Sequence, residues 1–340
     1  MSFPELIFLE QLLDSLKDSA RIQQWATTAH GRERFPLYSI CIGSQAPEAP
    51  TLALIGGVHG QEKIGTQVVL SYLETLTELL GWDEITHDIL QKVRVAFYPI
   101  VNPVGMSMLR RGNGNRVDLM RNAPFDRPGT TLFVGGQRLS RFLPWYRGKA
   151  GAPMEVESSA LCDFVRKEVF PSRNAISLDC HSGYGTVDRL WFPYSHTKKP
   201  FPQLAEVFGL KNMLDRTYPN HVYVVEPGAE AYTIQGDIWD YLYEEHRASL
   251  SPAKSFLPLT LEMGSWLWLK KNPIQLFSPL GLFQPMQIHR HKRILRRHLA
   301  LLDFLQRAVL APTRWATLEA EEKNLLEGQA KEYWGFGDRA

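Results

Sequence analysis

His59 and Glu62 stand close together in IGGVHGQEKIG (residues 55–65), where an apolar run meets glycines and then the first ionisable side chains. A neutral imidazole offers a nitrogen lone pair and a carboxylate offers oxygen, so the pair can bind one edge of a divalent metal. Two further residues close apolar runs in the same manner: His181 in AISLDCHSG (175–183) and Glu262 in FLPLTLEMG (256–264). Two imidazoles and one carboxylate make a ligand shell for Zn²⁺ with a fourth position left for water or substrate, and a second carboxylate nearby can accept a proton. Taken singly, each residue also has a plainer role: either histidine can be a hydrogen-bonded loop residue, and Glu262 can belong to a buried ion pair. With ten histidines in the chain, spacing alone leaves the choice open.

These side chains lie far apart in sequence, so strands and helices must bring them together. At 340 residues and 44% hydrophobic content the chain can bury a large interior. Its 38 basic and 36 acidic residues nearly cancel, so no global charge points to nucleic acid or an anionic surface. The opening MSFPELIFLEQLLDSLKDSA carries Glu5 and interrupts its apolar residues at helical spacing, unlike a secretory signal. No stretch approaches the roughly 18 to 20 apolar residues of a membrane span. Cys41, Cys162 and Cys180 are odd in number, widely separated and form no CxxC pair, which together predicts a cytoplasmic protein with reduced thiols.

Periodicity predicts alternating elements. A helix over about 5–26 precedes strands at YSICIG (38–43) and TLALIGG (51–57), separated by the proline-bearing SQAPEAP. Helix over 62–80, strand over VRVAFYPI (93–100), helix over 154–168 and strand over AISLDCHSG follow. A helix near 202–214, the run HVYVVEPG, a helix around 235–248 and the strand FLPLTLEMG complete the pattern. Interleaving of this kind predicts an α/β fold: a single domain with a central mixed, mostly parallel sheet flanked by helices. Ligands in such folds bind beyond the carboxyl ends of strands, where His59, Glu62, His181 and Glu262 all fall. Gly56, Gly57 and Gly60 allow a tight turn there without β-carbon clashes. Residues 1–310 are expected to form the main unit and 311–340 an extension, whose Tyr333 and Trp334 suit either docking on the chain or contact in a homo-oligomer.

HGQE at 59–62 resembles the H-x-x-E metal pair of the zinc carboxypeptidase family, a superfamily that also includes amino-acid deacylases such as aspartoacylase and succinylglutamate desuccinylase. The similarity runs on through NPVG (102–105), RRGNGNRVDLMRN (110–122), LDCHSG (178–183), AYTIQGDIWDYLY (231–243) and LTLEMG, in the family's order. The RRxNxxxVDLxRN spacing is most similar to a poorly characterised bacterial branch.

The resemblance implies a zinc-carboxypeptidase-like fold and one Zn²⁺ per chain held by His59, Glu62 and His181, with Glu262 activating water and Asp118 supporting the first histidine from its other ring nitrogen. Arg111 resembles the arginine that stabilises the negative oxygen formed during attack, and Arg110 is the competing assignment. Glu262 would take the water proton and return it to the departing amine. Arg121 resembles half of a carboxylate clamp whose other half, an asparagine in the family, is Met120 here; Asn122 is the nearby substitute. Tyr232 lies where the family has a mobile tyrosine.

The implied substrate is a peptide or an N-acyl amino acid with a free carboxylate. Cleavage of a C-terminal peptide bond comes first, deacylation of N-acyl amino acids second, and a non-catalytic metal- or peptide-binding protein third. Beyond the motifs, WFPYSHTKKPFP (191–202) suits a loop facing substrate or a packed aromatic run. HRHKRILRRH (289–298) reads as a helix with one solvated face, and no nucleic-acid partner is expected.

Overall fold

The apolar runs of the sequence become the inner strands of one sheet. In the computed structural model, which describes residues 3–126, 133–249 and 254–336, the chain begins with α1 (Pro4–Ser15), β1 (Ala20–His30), β2 (Glu33–Gly43), β3 (Thr51–Gly56), α2 (Lys63–Leu79), α3 (Glu84–Leu90), β4 (Arg94–Tyr98) and α4 (Pro103–Ser107). Later come α5 (Val156–Glu168), β5 (Asn174–Ser182), β6 (Arg189–Phe192), α6 (Leu204–Thr217), β7 (Val224–Pro227), α7 (Ile238–Ala248) and β8 (Ser255–Met263). Helices α8 (Trp266–Lys271), α9 (Ile288–Ala308) and α10 (Ala320–Tyr333) complete the described part.

The eight strands lie in the order β1-β2-β4-β3-β5-β8-β6-β7. Its centre, β4-β3-β5-β8, is parallel, while β2 and β6 run antiparallel to the neighbours that flank this centre. Strands β3, β4 and β5 are buried along their whole length, as expected for a sheet covered on both faces. Alternation along the strands separates two cores. Leu52, Leu54, Ile176, Leu178, Leu257 and Leu259 pack with α1, α2, α6 and α9, whereas Ala53, Ile55, Ala175 and Phe256 pack with α5 and α7.

The sheet order supplies the site. From β3 the chain goes first to β4 on one side and later to β5 on the other, so the crevice between the carboxyl ends of β3 and β5 is a topological switch point. His59 and Glu62 follow β3; His181 lies near the end of β5, directly across from Glu262 on β8 in the parallel register. Gly57 turns the chain out of β3 with a left-handed φ of +69°. Gly65, in the first turn of α2, lies so close to β5 that a β-carbon would stand 2.0 Å from the Cys180 carbonyl oxygen. The helix that starts immediately after Glu62 thus rests on the backbone that carries His181.

One expected element is corrected. The helix expected over 5–26 ends at Ser15, and residues 20–30 pair antiparallel with β2, from Ala20 opposite Ile42 to His30 opposite Glu33. The spaced leucines Leu6, Leu9, Leu12 and Leu13 that bury α1 have no continuation in RIQQWATTAH, which gains ladder hydrogen bonds instead. The basic run 289–298 does form a helix with one solvated face: α9 buries Ile294, His298, Leu301, Leu302 and Leu305 and leaves Lys292, Arg293 and Arg296 exposed. Helix α10 packs on α6, and Trp334 donates to the Val225 carbonyl at 2.9 Å. No described helix is long and apolar enough to cross a membrane.

Gly65→Ala is expected to destabilise the fold by about 1–3 kcal/mol, the usual cost of overpacking a filled interior. Gly328→Ala, in α10 where a β-carbon meets nothing within 4 Å, is expected to stabilise by about 0.5–1 kcal/mol through helix propensity. Thermal unfolding of the two variants beside the parent checks both signs.

Candidate metal centre

The turn after β3 and the end of β5 bring His59, Glu62 and His181 together, each buried, with one ligand atom apiece lying within 4.8 Å of the others. His59 Nδ1 is 2.8 Å from Glu62 Oε1, His181 Nδ1 is 3.0 Å from Glu62 Oε2, and the two Nδ1 atoms are 3.0 Å apart. Ligands held at zinc's ordinary N and O distances in a tetrahedron stand about 3.3 Å apart, so this donor set is nearly at coordination spacing. The Ser182 amide also donates to Glu62 Oε2 at 3.1 Å, fixing that carboxylate.

Each histidine has a carboxylate behind its other nitrogen. Asp118 Oδ1 is 3.2 Å from His59 Nε2, and Asp179 Oδ2 is 2.8 Å from His181 Nε2. Trp239 Nε1 donates to the same Asp179 oxygen at 2.9 Å. Backing of this kind orients the ring and strengthens donation from the inward nitrogen. Asp179 was not among the residues singled out in the sequence, although a readable signal existed: in LDCH, Asp179 and His181 are two apart on a strand and so share a face.

Electrostatics shows what the pocket favours. Burial opposes ionisation of Glu62, but His59 and His181 outweigh it and hold the carboxyl well below the usual range. Burial likewise opposes charge on His181, yet Asp179 and Glu62 raise its affinity for a proton well above the ordinary value. Both shifts express a demand for positive charge between the imidazoles and Glu62. A divalent cation meets that demand with the ligand atoms already in place, so the residues fit a single Zn²⁺ site.

Around this centre the other expected residues separate. Glu262 is buried on the cavity wall and accepts from the Tyr184 amide at 2.9 Å; burial, then the Glu62 carboxylate, push its carboxyl up to about 8. Arg111 donates to Asp118 at 2.8 Å and to Glu62 at 3.3 Å. Arg121 donates to Asp118 at 3.0 Å and to the Val134 carbonyl at 3.2 Å, and is only 1% exposed. Tyr232 and Arg110 are half-buried and line the same cavity. Asn122 is turned away: its amide donates to the Arg147 carbonyl at 3.1 Å and its oxygen accepts from the Glu155 amide at 2.7 Å, so neither end faces the centre. Of the aromatic run 191–202, Trp191 and Phe192 reach the cavity, whereas Phe201 packs in the core.

The cavity has a volume of about 800 Å³. Its deeper wall includes Met120, Ile234, Trp239, Pro258 and Thr260, mixing apolar surface with few polar groups. Leu109, Arg116 and Trp145, the non-glycine residues with left-handed backbone among the described residues, all line it. Backbone strain is thus concentrated where the chemistry would be.

The purified chain is expected to carry about one zinc, and His59→Ala and His181→Ala are each expected to lose it; full occupancy in both variants by element analysis would remove the site. Asp179→Asn is expected to keep the metal but weaken its affinity by roughly 10–100-fold, as loss of an outer hydrogen-bond partner does, measured by competition with a chelator.

Comparison with known proteins agrees with this geometry. Mouse and human carboxypeptidase D are 24% and 23% identical to the chain over 276 and 273 residues, matching 71% of it and 18% of their own length. Carboxypeptidase SOL1 of Arabidopsis thaliana is 30% identical over 114 residues, 33% of this chain and 23% of that protein. The chain therefore spans less than a quarter of these relatives. In fold it is similar to bovine thrombin-activatable fibrinolysis inhibitor (TM-score 0.64, 18% identity, 90% of this chain and 95% of that one). It is also similar to carboxypeptidase A of Helicoverpa armigera (TM-score 0.58, 17% identity, 88% and 74%). The family model for zinc carboxypeptidases matches residues 6–273, a span that contains all three ligands, Asp118 and Glu262, and the chain belongs to that family.

Proposed function

We propose that the chain hydrolyses the C-terminal peptide bond of substrates with a free carboxylate. The observation that carries this reading is the placement of Glu262 beside the triad: a buried carboxylate opposite His181 in the sheet, which a purely structural metal site does not require. Zinc, when bound by His59, Glu62 and His181, supplies Lewis acidity toward a carbonyl oxygen and toward water. Glu262 takes the proton of the attacking water and returns it to the departing amine. Arg111, positioned by Asp118 and partly exposed to the cavity, faces the oxygen on which negative charge develops.

Arg121 meets the substrate carboxylate with the N–H groups not taken by Asp118 and the Val134 carbonyl. Tyr232 closes the cavity over it, and Arg110 meets the substrate nearer the opening. Residues 1–310 act as the catalytic unit with 311–340 as its extension. A reducing, cytoplasmic setting fits the three buried, unpaired thiols, and RRGNGNRVDLMRN favours the little-characterised bacterial branch. Met120, a thioether beside Arg121, cannot supply the amide that would share a terminal carboxylate and so counts against ordinary exopeptidase recognition; the second reading, deacylation of N-acyl amino acids, uses the same centre and Arg121.

Glu262→Gln is expected to retain zinc and lose about 10²–10⁴-fold in hydrolysis, the range for a lost general base. Mass-spectrometric profiling of free-carboxylate peptides beside their amidated copies and acylated amino acids separates the readings. Loss of one residue from free-carboxylate peptides alone, with Arg121→Ala impairing turnover by roughly 30-fold or more, supports the peptidase. Equal cleavage of amidated copies defeats the terminal-carboxylate model, and selective turnover of acylated amino acids selects the deacylase.

A further inference from the structure

Three arginines at the mouth of the cavity have no acidic partner. Arg110, Arg116 and Arg141 line it, and none forms an ion pair with a described residue. By contrast Arg111 and Arg121 are held by Asp118, Arg138 and Arg147 by Asp126, and Arg189 by Glu226. Residues 127–132, RPGTTL, contain no acid in sequence either. The guanidinium carbons of Arg116 and Arg141 lie 5.1 and 5.2 Å from the ring centre of Phe142, which is 68% exposed. Two cations therefore share one solvent-facing ring. A ring face attracts each cation but does not cancel their mutual repulsion as an anion would.

The backbone adds an independent sign. Arg116 sits in the left-handed region at φ +64°, within a GNGNR turn where glycine or asparagine would be less strained. A strained, exposed arginine directed at a cavity is a candidate for ligand contact. The acids of the same cavity, Glu62, Asp118, Asp237, Asp240 and Glu262, are all buried. Charge is thus sorted by depth: negative groups lie inside among their partners, and unpaired positive groups lie at the opening.

We infer that this mouth is a binding site for side-chain carboxylates of the substrate, so that the chain takes acidic peptides in preference to neutral or basic ones. The inference rests on the peptidase reading and adds to it a substrate class. Carboxylates from an extended peptide meet Arg110, Arg116 and Arg141 while the terminal residue lies deeper. Guanidinium groups suit this because each can grip a carboxylate through paired N–H donors. Lysine-rich peptides are repelled by the same three charges.

The test uses peptides that share one C-terminal residue and differ only in the preceding residues, all glutamate, all glutamine or all lysine. A second set carries glutamate at the C-terminal position alone. Binding is measured by titration into zinc-loaded Glu262→Gln protein, and turnover with the unaltered protein. At about 0.05 M salt the expected order is glutamate over glutamine over lysine, with steps of roughly 3–10-fold that shrink at about 0.5 M salt. Arg116→Gln combined with Arg141→Gln should bring the glutamate-to-glutamine ratio close to one, and the paired lysine substitutions should restore most of it. Equal binding of glutamate and glutamine peptides overturns the inference, as does a preference that neither salt nor the double substitution reduces. Acid-preferring binding without turnover of any peptide overturns the hydrolase reading and leaves the binding site standing.

Discussion

One carboxylate ties the centre together. Asp118 is 1% exposed and meets three groups of different purpose: His59 through one oxygen, Arg111 and Arg121 through the other. An isolated ionised carboxylate at that depth would cost several kcal/mol. Here the paired guanidiniums outweigh burial and keep Asp118 ionised well below its ordinary pKa. Because the partners converge on one side chain, the metal-ligand ring, the arginine beside Glu62 and the arginine on the cavity wall cannot shift independently. The Asp118 amide, donating to the Tyr146 carbonyl at 2.7 Å, fixes this hub to the irregular stretch that carries the cavity mouth.

The second imidazole is supported from the opposite direction, and the sheet explains why. On β5, Asp179 and His181 share the face turned toward α7, so Trp239 from that helix reaches Asp179. On β8 the same face carries Pro258, Thr260 and Glu262, which become cavity wall. The alternate residues, Leu178 and Cys180 on β5 and Leu259 and Leu261 on β8, belong to the opposite core. A one-residue slip between the two strands would put Glu262 into a greasy interior and lose its place beside His181. The register that builds the core is the register that sets Glu262 beside His181.

Much of this was readable in the sequence because parallel strands announce themselves as apolar runs and the functional residues stop those runs. His59, Glu62, His181 and Glu262 were found that way, with the matching motifs supplying their order. Strand β1 was not, since RIQQWATTAH has a mixed composition and becomes a strand only by pairing with β2. Asn122, the nearby candidate for the missing clamp amide, is held by the Arg147 carbonyl and the Glu155 amide instead, because sequence adjacency to Arg121 says nothing about direction. The hold of the Tyr184 amide on Glu262 had no sequence signal, since any residue supplies an amide.

Under the proposed function, substrate choice would depend on how this charge is distributed. Arg121 is buried and already shares Asp118 with Arg111, so a carboxylate docking there must shed its water to meet a cation whose field is partly neutralised. Desolvation of both partners offsets much of the Coulombic gain in such a setting. Met120, on the same wall, offers no compensating hydrogen bond. The buried arginine is therefore better at selecting a carboxylate than at holding a substrate tightly. On that reading affinity would come from elsewhere along the cavity, where exposed Arg116 and Arg141 would act with little desolvation cost, over a range set by screening of about 8 Å at physiological salt. Under the proposed function and the inference above, specificity for the chain end would lie deep, beside the metal centre, and attraction at the opening.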